Sequence, residues 1–211
     1  MYMEGMVEMT NPVEQSVGGI GGHIFRRVIH IAMVLIPVVY YWYADPIAEN
    51  IIFDKEQIAS IVVITLLVVE AGRLKMGITI YGQRKYESEQ MSALAWGALG
   101  VGISLLMAPE YGVNGAAFGL PLIACLSFGD PFLGELRRFG LSDRNVFIGG
   151  TALCAIIWII SWQWLETPWW FAIFLAPITV AAEWPRLRWI DDNATMILIP
   201  LIAVILLYPF V

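Results

Sequence analysis

Charge is scarce in this chain. Only 14% of its 211 residues are Asp, Glu, Lys or Arg, where a soluble domain carries roughly a quarter. That scarcity excludes one or two ordinary soluble domains, and it excludes disorder and coiled coil as well. Cysteine is nearly absent. Cys125 and Cys154 both fall inside apolar segments, so there is no disulfide framework to read. Bases are outnumbered, with 12 Lys and Arg against 18 Asp and Glu and a net charge of −6, which argues against nucleic acid as a partner. The short routes to an activity are missing too: no P-loop GxxxxGK[ST], no HExxH and no CxxC occurs.

What the chain has in abundance is apolar runs. Hydrophobic residues make up 59% of it. A membrane span needs about 20 mostly apolar residues, and seven candidate segments recur, at roughly 28–44, 58–71, 91–108, 111–129, 146–165, 168–183 and 194–211. Strands are disfavoured, because lipid cannot satisfy an open sheet edge. The sequence therefore predicts an all-α, polytopic integral membrane protein of about seven transmembrane helices. Residues 1–23 read as a flexible lead, with Gly18, Gly19, Gly21 and Gly22 as a linker, and 24–211 as a single transmembrane domain. The lead carries Glu4, Glu8 and Glu14 and is not the basic start of a signal peptide.

The bases give an orientation. Arg26 and Arg27 precede the first segment; Arg73, Lys75, Arg84 and Lys85 follow the second; Arg137, Arg138 and Arg144 follow the fourth; Arg186 and Arg188 follow the sixth. Only Lys55 falls on the opposite side, with Asp45, Glu49, Asp54, Glu56, Glu110 and Glu166. If seven segments alternate, the positive-inside rule places the N-terminus and the basic loops in the cytoplasm. Trp42, Trp96, Trp162, Trp164, Trp169, Trp170, Trp184 and Trp189 sit near segment ends, as an interfacial aromatic belt does.

Ionisable groups crowd the same edge. Arg27 and His30 stand three apart at the start of the first segment, and Glu70 and Arg73 three apart at the end of the second. Glu87 and Glu89 precede the third. Asp130, Glu135, Arg137 and Arg138 close the fourth, Glu183 closes the sixth, and Asp191, Asp192 and Asn193 lead into the seventh. Taken singly, each pair reads as an ion pair fixing a helix end. Taken together, they place acids and bases from five segments at one membrane face. Carboxylates in this number suit a hard divalent cation such as Mg2+, and arginines suit phosphate oxygens. That combination is the equipment for phosphoryl or nucleotidyl transfer, with a lipid as the other substrate.

The order of short motifs resembles the polyprenol kinase family, which includes dolichol and phytol kinases and is related to phosphatidate cytidylyltransferases. The matching places are Arg26-Arg27-Val28-Ile29-His30, Glu70-Ala71-Gly72-Arg73 with Glu89 before the next segment, Gly129-Asp130 opening a central loop, and Glu183 followed by Asp192-Asn193 and Pro200. The resemblance implies a membrane kinase that uses CTP and a divalent cation to phosphorylate a lipid alcohol at the cytoplasmic face. It implies Asp130, Glu183 and Asp192 as metal or nucleotide residues with Asn193 beside them. Arg27, Arg73 and Arg137 become candidates for phosphate contacts, and His30 or Glu70 for taking the proton from the lipid hydroxyl. The family's Lys-Thr-x-Glu-Gly-Ser/Thr stretch is replaced here by Val146-Phe147-Ile148-Gly149-Gly150-Thr151, which keeps only the Gly-Thr. Three other readings stay open: a cytidylyltransferase acting on a lipid phosphate, a small-solute transporter, and a membrane protein with a purely structural role.

Overall fold

The computed structural model describes residues 12–185, 187 and 189–211. Residues 1–11 of the lead, with Glu4 and Glu8, lie outside the described residues, as do Arg186 and Arg188 of the charge bias. Among the described residues the regular structure is helical, apart from an isolated antiparallel bridge between Ser16 and Arg84.

Ten α-helices follow one another among the described residues: α1 (Pro12–Gln15), α2 (Gly19–Ala32), α3 (Leu35–Trp42), α4 (Ala44–Ala48), α5 (Lys55–Met76), α6 (Ala93–Met107), α7 (Ala116–Arg138), α8 (Asp143–Leu165), α9 (Phe171–Ala181) and α10 (Asp192–Leu207). Among the described residues, five stretches are long and apolar enough to cross a membrane: Gly19–Trp42, Lys55–Met76, Val113–Arg138, Asp143–Leu165 and Asp192–Phe210. The other two expected spans are shorter apolar helices, α6 of 15 residues and α9 of 11. At 1.5 Å per residue they reach about 22 Å and 16 Å, against a hydrocarbon core of about 30 Å.

The local chemistry accounts for where the helices begin, end and bend. The first span is two helices because Pro37 has no N–H to return to the Met33 carbonyl. The turn tightens there instead, with Val34 N donating to Ile31 O and Ile36 N to Met33 O. Asp54 and Gln57 form a reciprocal cap at the start of α5, and Gly77 (φ 63°) ends it in the left-handed conformation that glycine tolerates. Ser92 caps α6 by accepting from Ala95 N. The fourth span differs most from expectation. Gly129-Asp130 does not open a loop, because α7 runs on through Pro131 to Arg138. The apolar run stops near Phe128, but Asp130, Gly134 and Arg137 after it line a cavity, so the helix has reason to continue.

α7 is the centre of the bundle, and α2, α3, α6, α8, α9 and α10 pack around it. Phe118, Leu122, Ile123 and Leu126 of α7 are buried with Trp158, Phe171 and Met196. Phe118 and Phe171 stack with ring centroids 5.1 Å apart. The periphery is just as apolar: Val68 and Val69 of α5 are 66% and 64% exposed. A water-soluble surface rarely shows such patches, whereas a lipid-facing one requires them.

Residues 78–84 fold back over the start of α2 and bring Arg84 toward it. Val17 N donates to Gln83 O (2.8 Å), and Gly82 N donates to Val17 O (3.0 Å). The contact is tight: a Cβ on Gly18 (φ 90°) would lie 2.1 Å from the Tyr81 ring. Residues 12–23 of the expected lead are thus helical or hydrogen-bonded to this loop.

Candidate functional site

The start of α2, the end of α7, the residues after α9 and the start of α10 meet at one end of the bundle. Helical spacing fixes the wall that α2 contributes. His23, Arg26, Arg27 and His30 recur at intervals of three and four, so they share a face. Asp130, Gly134, Arg137 and Arg138 repeat that spacing on α7. With Arg84 from the folded-back loop, Glu183, Asp192 and Asn193, they line a cavity of about 280 Å³.

The acids converge. Asp130, Glu183 and Asp192 each offer a carboxylate oxygen, and these oxygens lie within 4.8 Å of one another. Glu183 is buried, and both its oxygens accept from the Arg137 guanidinium, Nη2 to Oε2 at 2.7 Å. Burial pushes the Glu183 carboxyl above its ordinary range. The Arg137 hydrogen bonds oppose that shift, and the charges of Asp130 and Asp192 add to it. Arg137 also lies 5.0 Å from the centroid of the Trp184 ring. Asp191 caps α10 by accepting from Asn193 N (3.1 Å); burial and then the adjacent Asp192 raise its carboxyl well above the usual range.

The bases outnumber the acids. Arg26, Arg27, Arg84, Arg137 and Arg138 face three carboxylates around the cavity. Arg26 is committed to Glu87, Nη1 to Oε1 at 2.7 Å. Arg27 is held only loosely. Its Nη1 is 3.4 Å from the Asp130 carbonyl and 3.9 Å from the Asp130 carboxylate, and its Nη2 is 3.8 Å from Glu135. A guanidinium with long contacts keeps donor capacity for a phosphate. His30 Nε2 lies 3.1 Å from the Leu126 carbonyl and 3.6 Å from Asp130 Oδ2. Donation from Nε2 to that carbonyl leaves Nδ1 as the basic nitrogen.

The structure brings together Arg27, His30, Asp130, Arg137, Glu183, Asp192 and Asn193 from the residues expected at the site. Three others it places elsewhere. Glu70 and Arg73 form their own buried unit. Both Glu70 oxygens accept from Arg73 at 2.8 Å and Oε1 also accepts from Ser92 N at 2.6 Å, while Arg73 donates to the Ile78 and Gln90 carbonyls. Glu70 is therefore saturated and pins the 77–92 loop to α5. Glu89 is exposed, and it is Glu87, 1% exposed, that turns inward to Arg26. His23, Arg84 and Gly134 are not among the residues expected there, and Arg26 and Arg138, which the sequence places at the same edge, line the cavity without having been assigned a role. The spacing from His23 to His30 carries a signal for His23 and Arg26. Nothing local marks Arg84, whose place depends on the loop docking onto Val17. The Val146–Thr151 stretch packs α8 against α7, where a Cβ on Gly150 would lie 2.4 Å from Leu133; it does not line the cavity.

Three carboxylates on separate elements form an oxygen-rich donor set of the kind hard divalent cations take. Asn193 lies on the same wall, with its Oδ1 buried and without a hydrogen-bond partner among the described residues. The surrounding guanidinium groups suit the phosphates that accompany such a cation. No family model, curated protein or solved structure matches this chain.

Proposed function

We propose that this chain is a membrane-embedded transferase that moves a phosphoryl group from a nucleoside triphosphate, CTP by the resemblance, to the hydroxyl of an isoprenoid lipid alcohol. In this reading the chain passes the membrane about seven times, with α6 and α9 as short or tilted passes. The N-terminus and the cavity face the cytoplasm. One observation carries the reading: three convergent carboxylates facing five arginines in a single cavity at the end of an apolar bundle. A transporter would be expected to carry its ionisable groups near the bilayer midplane, and here they gather at one end.

Asp130, Glu183 and Asp192 would hold Mg2+ or another divalent cation, which would neutralise phosphate charge as it develops. Arg27, Arg84 and Arg138 donate to phosphate oxygens, and Arg137 keeps the Glu183 carboxylate oriented. His30 sits at the cavity wall beside Asp130 and is the candidate for taking the hydroxyl proton. Glu70 and Arg73 act on the fold rather than on substrate.

The test is transfer of label from γ-labelled CTP with Mg2+ to a polyprenol by purified protein in nanodiscs. Formation of a lipid phosphate with release of CDP, lost in Asp130→Ala, supports the reading. Pyrophosphate release with a lipid phosphate as acceptor would instead make the protein a cytidylyltransferase. No transfer across nucleotides and lipids contradicts both.

A further inference from the structure

A second cavity of about 220 Å³ adjoins the polar one. It is lined by Phe25, Ile29 and Met33 of α2, Ile80 and Tyr81 of the folded-back loop, and Leu94 of α6, with Glu87 beside them. The two cavities share three residues, Arg26, His30 and Asn193. An apolar chamber thus meets a charged one across a thin polar wall.

That wall is incompletely satisfied. Asn193 is 4% exposed, and its Nδ2 donates to the Ala93 carbonyl (3.1 Å), but its Oδ1 has no partner among the described residues. Glu87 is 1% exposed; its Oε1 accepts from Arg26 and from Arg84 N, while Oε2 has no partner among the described residues. Buried acceptors without donors are costly, and a structure that retains them fits a ligand that brings the missing hydrogen. The chamber is open along its apolar lining: Phe25 and Ile29 of α2, Ile80 and Leu94 are themselves exposed at the surface. A chain too long for the chamber has a path into the bilayer.

We infer that this apolar chamber seats the chain of an amphiphilic alcohol, with Asn193 Oδ1 accepting its hydroxyl hydrogen at the wall shared with the polar cavity. The inference rests on the transferase reading and names its acceptor site. Two orphan acceptors in the lining of one chamber select the headgroup. A hydroxyl supplies a hydrogen, a hydrocarbon supplies none, and a phosphate monoester brings negative oxygens against the Asn193 and Glu87 oxygens. Held at Asn193, the hydroxyl oxygen faces the charged cavity while its chain remains in apolar surroundings. Asn193 is a positioning residue here.

The experiment uses the full chain in phosphatidylcholine nanodiscs and geranylgeraniol bearing a diazirine on its chain. After irradiation, label should map to Phe25, Ile29, Ile80 and Leu94. Unmodified geranylgeraniol should compete about tenfold better than geranylgeranyl phosphate or squalane, the effect of one buried hydrogen bond. Asn193→Leu should erase the preference for the alcohol over squalane. Leu94→Trp fills the chamber from a half-exposed position, so it should cut labelling about tenfold while Mn2+ binding at the carboxylates is unchanged; it keeps the test open if Asn193→Leu fails to fold. Label scattered over α5 and α8, or equal competition by alcohol and squalane, overturns the inference. If the label maps as expected but no cation or nucleotide binds, the alcohol site stands and the transferase reading falls. If nucleotide binds and the label maps elsewhere, the reverse holds.

Discussion

Arg137 grips both oxygens of Glu183 from 46 positions away in the chain, so the end of α7 and the segment after α9 are locked together by a single ion pair at the rim of the cavity. Glu183 is the buried partner, while the Arg137 side chain is about a third exposed (33%). The pair is therefore unsymmetrical, since removing the arginine strands a buried charge and removing the glutamate leaves a cation within reach of water.

Arg137→Ala should cost about 2 kcal/mol of stability, a value reduced from that of a fully buried pair because Arg137 reaches solvent. Glu183→Gln should cost less than half of that. Cys125 and Cys154 are buried and unpaired, so the reaction of a thiol dye during heating reports unfolding. Equal losses in the two variants would contradict the asymmetry.

Glu70→Gln separates fold from function. It weakens the Arg73 pair and the tether to Ser92, so thermal stability should fall by about 1–2 kcal/mol. Mn2+ affinity should not change, because Glu70 does not line the cavity. A drop in affinity at full occupancy of the folded state would return Glu70 to the site.

Gly134→Ala should act on the phosphate contact alone. An added Cβ would meet Arg27 Nη2 at 2.2 Å, and the end of a flexible side chain moves aside easily. The melting temperature should stay within about 2 °C of wild type, as for changes away from buried features. Binding of CTP, measured by isothermal titration, should weaken about tenfold through loss of one charge-assisted contact. Unchanged affinity would remove Arg27 from the site.

Much of the fold is legible in the sequence, since apolar runs mark the helices and each expected segment overlaps at least one. Span count is less legible, because apolarity says nothing about how long a helix is once Ser92 or Pro37 has fixed its limits. The end of α7 is hidden for a related reason. Composition turns polar at Gly129-Asp130, and polar residues that line an internal cavity look the same in sequence as residues of a loop. The site is legible where it follows helical spacing, as for Arg27 and His30 or Asp130 and Arg137. It is illegible where a long-range hydrogen bond decides. Arg84 reaches the cavity only because Gly82 and Gln83 pair with Val17, and Glu87 rather than Glu89 turns inward because Arg26 receives it. Glu70 and Arg73 have the spacing of a functional pair, but their donors and acceptors are consumed by Ser92, Ile78 and Gln90.

The convergence of Asp130, Glu183 and Asp192 is tested most directly by the electron paramagnetic resonance spectrum of Mn2+ added to the protein in nanodiscs, with and without CTP. One Mn2+ should bind per chain, with its signal altered by CTP. Affinity should be at least about tenfold weaker in Asp130→Asn and in Asp192→Asn alike, the effect of losing one charged ligand. Mn2+ binding that is absent in the wild type, or that survives both substitutions undiminished, would contradict the convergence.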